Sequence, residues 1–171
     1  MNTKQNRYEA LVKAFHKDMY RYAYWLCQDS TVSKDLVQET FLRAWKSLDS
    51  LKDSKAAKSW LITILRRENA RRFERKQFDL VDMDDVTLSD TATLSAEAEM
   101  EQQLIRRQMQ MLAPEYREPL MMQIIGGYTG EEIAAELGLN KNTVMTRLFR
   151  ARNQLKEALE GQISNRRHSN G

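Results

Sequence analysis

The chain has 171 residues, with 27 lysines and arginines against 24 aspartates and glutamates and a net charge of +3, a size that allows one domain or two small ones. One cysteine, Cys27, and two histidines, His16 and His168, exclude a disulfide within the chain and do not supply a structural zinc site. No apolar run approaches the ~20 residues of a membrane span, and the amino terminus MNTKQNRYEA lacks the basic-then-apolar form of a signal peptide, so a cytoplasmic protein without membrane insertion is expected.

All six glycines lie at position 126 or later, and both prolines, Pro114 and Pro119, lie in the second half. Long helices are therefore expected upstream. Alternating β-branched runs are absent, which predicts an all-α protein. Charge is segregated along the chain: residues 66–76 hold six basic and two acidic side chains, residues 77–105 eight acidic and no basic ones, and residues 141–171 seven basic and two acidic. Two basic blocks around an acidic connector suggest two surfaces that face polyanions, although a solvated helix face accounts for either block taken alone.

In chain order, Tyr8, Leu11, Val12, Phe15, Met19, Tyr22, Ala23 and Leu26 recur at spacings of three and four. This predicts an amphipathic helix over 8–28 with Cys27 as a core thiol at its end. Eleven of the fourteen aromatic residues precede position 79, enough large apolar surface for the first 76 residues to build a core of their own. Asp29 or Ser30 caps a second helix running to about Leu48. Its buried stripe is Leu36, Val37, Thr40, Phe41, Ala44, Trp45 and Leu48, and the opposite row is Asp35, Gln38, Glu39, Leu42 and Lys46. A leucine in that polar row suits a face that docks on another protein, although single exposed leucines are common.

After a polar link over 49–55, Trp60, Leu61, Ile64 and Leu65 form the buried side of a third helix. Arg66, Arg67, Arg71, Arg72, Arg75 and Lys76 follow, with Phe73 and Phe78 between and after them. Guanidiniums fork onto phosphates and stack on bases, and aromatic rings offer platforms for unpaired bases. Residues 79–100 show no sustained helical stripe before their Glu-rich end and read as a flexible acidic linker between two small helical domains.

Helix resumes near Ala96 and runs through Leu112, and Pro114 suits the first turn of the next helix. Pro119 is expected to remove a backbone bond or kink that helix, and Gly126 and Gly127 end it. The segment YTGEEIAAELGLNKNTVMTRLFRAR, residues 128–152, then gives two short apolar stripes, Ile133, Ala134 and Leu137 followed by Val144 and Leu148, on either side of Gly138. This is the pattern of a helix-turn-helix whose second helix carries Thr143, Thr146, Arg147, Arg150 and Arg152 for phosphates and base edges. A helical hairpin with solvated arginines is the plainer alternative. The second helix is expected to reach about Gly161, and QISNRRHSNG reads as a frayed basic tail.

Taken together these segments closely resemble a bacterial RNA polymerase sigma factor of the extracytoplasmic-function (ECF) type. The resemblance is carried by DLVQETFLRAW (35–45), SWLITILRRENARRFERK (59–76), LAPEYREPL (112–120) and YTGEEIAAELGLNKNTVMTRLFRARNQL (128–155). It implies sigma region 2 over 1–78, the acidic linker over 79–100, sigma region 4 over 101–163 and a basic tail over 164–171. By the same resemblance Asp35, Gln38, Glu39 and Leu42 would meet the beta-prime clamp helices of core RNA polymerase, and the beta flap would be a further polymerase contact. Trp60, Arg66, Arg67, Arg71 and Arg75 would act at the minus-ten element, where the helix and loop of 59–76 hold the non-template strand and capture a flipped base as the duplex opens. Asn142, Thr143, Met145, Thr146, Arg147 and Arg150 would face the minus-thirty-five duplex. The linker would thread the polymerase channel used by RNA, with polymerase gripping one side of the protein and promoter DNA along the other.

Two positions depart from the pattern. Seven residues after Trp60, where the family commonly has an asparagine, this chain has Arg67, and after Thr143 and Val144, where a basic residue is frequent, it has Met145. Both lie at reading positions and bear on the promoter sequence rather than on the role. An anti-sigma protein that covers both faces is a further partner that the resemblance implies. No nucleophile with a base, phosphate-cradling glycine loop or metal-ligand cluster is present in the sequence, so no enzyme activity and no cofactor are expected. The competing reading is a stand-alone helix-turn-helix regulator that binds a palindromic operator as a dimer. It leaves the helix of Asp35 to Trp45 and the arginine block without a task.

Overall fold

The computed structural model describes residues 3–78 and 96–169, and among them every regular element is helical. The chain divides into two compact units, 1–90 and 91–171. Most of the expected linker lies outside the described residues, and its last five residues, 96–100, belong to a helix. Among the described residues no helix is long and apolar enough to cross a membrane.

The first unit packs three helices, α1 (Thr3–Cys27), α2 (Ser30–Lys46) and α3 (Ala57–Phe78), with two single 3₁₀ turns between α2 and α3. The reversal from α1 to α2 is made by Gln28, which takes φ 55, and by Asp29, whose carboxylate accepts from the Thr31 and Val32 N–H groups at 2.9 and 3.2 Å. Those donors have no intrahelical partner, so Asp29 is the cap that fixes where α2 begins. The core is Leu11, Met19, Tyr22 and Ala23 from α1, Leu36, Val37, Phe41 and Ala44 from α2, and Leu61, Ile62 and Leu65 from α3. Ile62 is fully buried although the apolar stripe read from the sequence omitted it.

The link over 49–55 is held closed from both sides: the Arg7 guanidinium donates to the Leu51 carbonyl at 2.5 Å, and Trp60 Nε1 donates to Ser50 Oγ at 3.3 Å. The helix-and-loop form expected over 59–76 is corrected, because α3 is helical throughout that stretch and on to Phe78. Arginine, glutamate, alanine, lysine and glutamine are all good helix formers, and no glycine or proline interrupts them.

The second unit contains α4 (Ala96–Met111), α5 (Pro114–Ile124), α6 (Gly130–Leu137) and α7 (Lys141–Ser169), with α7 packed against the other three. Met109, Leu112, Leu120, Met121, Met122, Ile125, Tyr128, Ile133, Val144, Leu148 and Ala151 form its core. Pro114 opens α5 as expected, while Pro119 lies buried inside it; one ladder bond is lost there, yet the helix continues to Ile124. Thr129 and Glu132 form a reciprocal capping box at the start of α6 (3.2 and 3.1 Å), and Gly138 ends α6 at φ 67, a conformation that favours glycine. The frayed tail expected after Gly161 is corrected as well: α7 continues to Ser169. Arg166, Arg167 and His168 in its last turn favour the negative end of the helix dipole.

Candidate nucleic-acid and partner interfaces

The row Asp35, Gln38, Glu39 and Leu42 is exposed along α2, and Leu42 keeps 55% of its surface open to solvent. The opposite stripe of the same helix is consumed by the core, so this row is what α2 has left for a partner. Beside it a 620 Å³ groove runs between α1 and α2, lined by Tyr8, His16, Tyr20, Phe41 and Leu42 among others. Tyr8 is pinned there, its hydroxyl donating to the Phe41 carbonyl at 3.0 Å and its ring edge-on to Trp45 at 5.1 Å; burial raises its pKa above the ordinary value.

The arginine block of α3 is divided by the fold. Arg71 donates to the Glu68 carboxylate at 2.9 Å, Arg72 donates to the Val32 carbonyl at 3.2 Å, and Arg67 and Arg75 are exposed. Arg66 is half-buried, and so is Trp60, four turns before Arg75 and about 22 Å away along the helix axis. Trp60 and the distal arginines are therefore two separate parts of one helix. A 280 Å³ cleft between α2 and α3 is lined by Asp35, Leu36, Glu39, Glu68, Arg71, Arg72 and Arg75. Two residues expected to face polymerase thus share a cleft with two expected to face DNA, in place of the opposite sides the sequence suggested.

In the second unit Asn142, Thr143, Thr146, Arg147 and Arg150 line one 420 Å³ cleft with Glu115, Tyr116 and Asn140. Met145 stands apart from them, exposed on another flank of α7, with its sulfur 3.1 Å from where a Cβ on Gly130 would lie. Asn140 was missed in the sequence; its Oδ1 accepts from Thr143 N–H at 2.8 Å and so sets the first turn of α7. An asparagine just before a helical stripe is a capping signal and was available. Glu115 and Tyr116 were missed for a different reason: they reach the cleft only through the packing of α5 on α7.

Cys27 is half-buried, its thiol 3.6 Å from Asn69 Oδ1, and burial raises its pKa, opposed by the charges of Arg72 and Lys76. Among the described residues no group of His, Cys, Asp or Glu side chains is arranged to hold a metal.

Two family models match the chain in order, Sigma-70 region 2 over residues 11–78 and Sigma-70 region 4 over residues 102–155. The chain is similar to the RNA polymerase sigma factor SigV of Bacillus subtilis (strain 168), 32% identical over 154 residues that span 88% of this chain and 92% of the relative. It is also similar to the ECF RNA polymerase sigma factor EcfG of Rhodopseudomonas palustris (strain TIE-1), 32% identical over 128 residues, 73% of this chain and 70% of that one. Among solved structures, the sigma factor RpoE in complex with the anti-sigma factor NepR, from Bartonella quintana, superimposes with a TM-score of 0.70 at 27% identity, covering 94% of this chain and 98% of that one. With both family models matched in order along one chain, and relatives of this identity and coverage, the chain belongs to the ECF family of RNA polymerase sigma factors.

Proposed function

We propose that the two units divide promoter recognition between them, each through the surface described above, and that the chain does no chemistry of its own. In this reading residues 1–78 act as region 2, 101–163 as region 4, and 79–100 join them. Asp35, Gln38, Glu39 and Leu42 dock on the beta-prime clamp helices of core RNA polymerase, with Leu42 as the apolar anchor in a polar surround. Trp60, Arg66, Arg67, Arg71 and Arg75 act on the minus-ten element, the arginines supplying charge to the non-template strand. Separating the strands costs about 1.4 kcal/mol per base-pair step, and phosphate contacts and capture of an unstacked base offset it.

Asn142, Thr143, Thr146, Arg147 and Arg150 face the minus-thirty-five duplex from one cleft, with Glu115, Tyr116 and Asn140 completing its wall. A glutamate at such a wall accepts from cytosine N4, and arginines fork onto guanine or phosphate. Met145 contributes from the flank, where an apolar contact with a thymine methyl is the available chemistry. The beta flap is the second polymerase element engaged. The protein acts in the cytoplasm, and an anti-sigma protein that covers both units is its inhibitor, a reading supported by the similarity to a sigma factor crystallised with one.

The observation that carries this reading is the coexistence, on one chain, of an open leucine in a polar row and a separate recognition-helix cleft. A stand-alone regulator needs only the second. A gel shift on promoter DNA with the protein alone and then with core polymerase tests the point: specific retardation is expected only with polymerase. Specific binding at moderate salt without it would favour the regulator.

A further inference from the structure

Glu68 is the one buried acidic residue among the described residues. Its side chain is 9% exposed, and a single oxygen, Oε1, meets two guanidiniums: Arg43 of α2 through Nε at 3.0 Å and Arg71 of α3 through Nη1 at 2.9 Å. The two arginines are 43% and 49% exposed, so the carboxylate is held inside while both cations reach outward. Arg43 lies one helical turn beyond Glu39 and next to Leu42, at the end of the row proposed to face polymerase. Arg71 lines the cleft with Arg72 and Arg75.

Stability alone gives little reason for such an arrangement. Replacing a buried carboxylate ion pair with apolar groups of similar volume is often neutral or stabilising, because the charge has been taken from water at a cost that pairing only just repays. What the carboxylate does supply is direction: a guanidinium is a planar fork, and a fixed acceptor sets where the rest of the fork points. Here one acceptor sets two forks on two helices.

We propose that Glu68 is a positioning residue that ties the partner-facing row of α2 to the strand-holding arginines of α3, holding Arg71 at the cleft so that docking and strand capture are coupled. This rests on the proposed roles of the two helices. Glu68 touches neither polymerase nor DNA; it acts through Arg71, with Arg43 as the link to α2. The cleft's shared lining, with Asp35 and Glu39 from α2 and Arg71 and Arg75 from α3, brings residues of the two tasks into one cleft.

The test uses the full chain reconstituted with core polymerase on a promoter, with three readouts: affinity for core enzyme, permanganate reactivity of unpaired thymines in the minus-ten region, and the thermal midpoint of the free protein. Glu68→Gln and Glu68→Met are expected to leave core affinity within about twofold and to lower strand opening roughly tenfold, the scale of one charge-assisted hydrogen bond. The double variant Glu68→Gln with Arg71→Gln is expected to open no worse than Arg71→Gln alone, since both act on one contact. Arg43→Gln keeps the Glu68 to Arg71 pair and serves where the Glu68 variants fold poorly; a loss of opening of a few fold at a near-normal midpoint is expected.

Opening equal to wild type in Glu68→Gln, additive losses in the double variant, or affinity and opening falling in parallel with the midpoint would each overturn the proposal. Should the wild-type chain itself fail to bind core polymerase, the functional reading falls instead.

Discussion

Truncating Leu42 separates a docking surface from an ordinary exposed residue. Full burial of a leucine side chain is worth ~1.5–3 kcal/mol, and 55% of this residue is still exposed in the free protein. About half of that stabilisation is therefore available only in a complex, and Leu42→Ala is expected to forfeit about 1 kcal/mol of it, roughly fivefold in Kd for core polymerase. Leu42→Asp goes further. It places a carboxylate between Gln38 and Lys46 on a row that already carries Asp35 and Glu39, and an imperfectly paired polar group in an interface costs roughly 1–3 kcal/mol more, about another fivefold or greater. The other half is already realised in the free fold, so the free protein's stability should change by no more than about 1 kcal/mol. Anisotropy titration of the labelled chain with core polymerase, with thermal melts in parallel, measures both quantities. Binding of Leu42→Asp within twofold of wild type at an unchanged midpoint would refute the assignment of α2.

Arg147→Ala and Arg150→Ala should each weaken binding of the region-4 surface to duplex DNA, and a phosphate contact is distinguished from a base contact by the salt dependence: loss of one phosphate contact lowers the slope of log K against log salt by about 1. Gly138→Ala should destabilise the second unit by about 1–2 kcal/mol in chemical denaturation, because φ is 67 there. Gly161→Ala should stabilise by about 0.5–1 kcal/mol, because that glycine is inside α7 with open space where the methyl would go. Cys27 gives a pH dependence. Burial raises its pKa above the ordinary 9.0, so at alkaline pH the folded chain keeps a proton that the unfolded chain has lost. The stabilisation is intact below the unfolded value and is lost as pH rises through the folded one. Urea midpoints should thus fall more steeply above pH 9.0 for wild type than for Cys27→Ala.

The helices of this protein are legible in its sequence wherever local chemistry decides the outcome. The cap at Asp29 marks α2 to within two residues and the turn at Gly138 marks where α6 gives way to α7, while α1 starts five residues before the expected Tyr8. Where the reading fell short, the deciding force was of another kind. The helix and loop expected over 59–76 come from the family resemblance, whereas the helix is continuous here, with Arg71 paired to Glu68 and Arg72 donating to the Val32 carbonyl. The contact of Arg43 with Glu68 spans two helices, and nothing local distinguishes that glutamate from Glu74, which is exposed. The end of α7 was underestimated because one glycine and a polar composition suggest fraying, whereas Gly161 costs only about 1 kcal/mol in a helix and the basic last turn offsets part of it.

The site residues divide in the same way. The exposed row of α2 and Thr143, Thr146, Arg147 and Arg150 on α7 follow from helical spacing, whereas Asn142 is named only through the family resemblance. Glu115 and Tyr116 could not be named from the sequence, since only the docking of α5 against α7 carries them into the cleft. The meeting of Asp35 and Glu39 with Arg71 and Arg75 is likewise a product of how α2 and α3 pack.

The most direct measurement is run-off transcription with purified chain, core RNA polymerase and candidate promoter templates. Discrete transcripts from a single start site are expected when all three are present, and none when either protein is omitted. A chain that stays folded and inhibitor-free, binds a duplex site tightly by itself and neither associates with core polymerase nor yields any transcript would contradict the account.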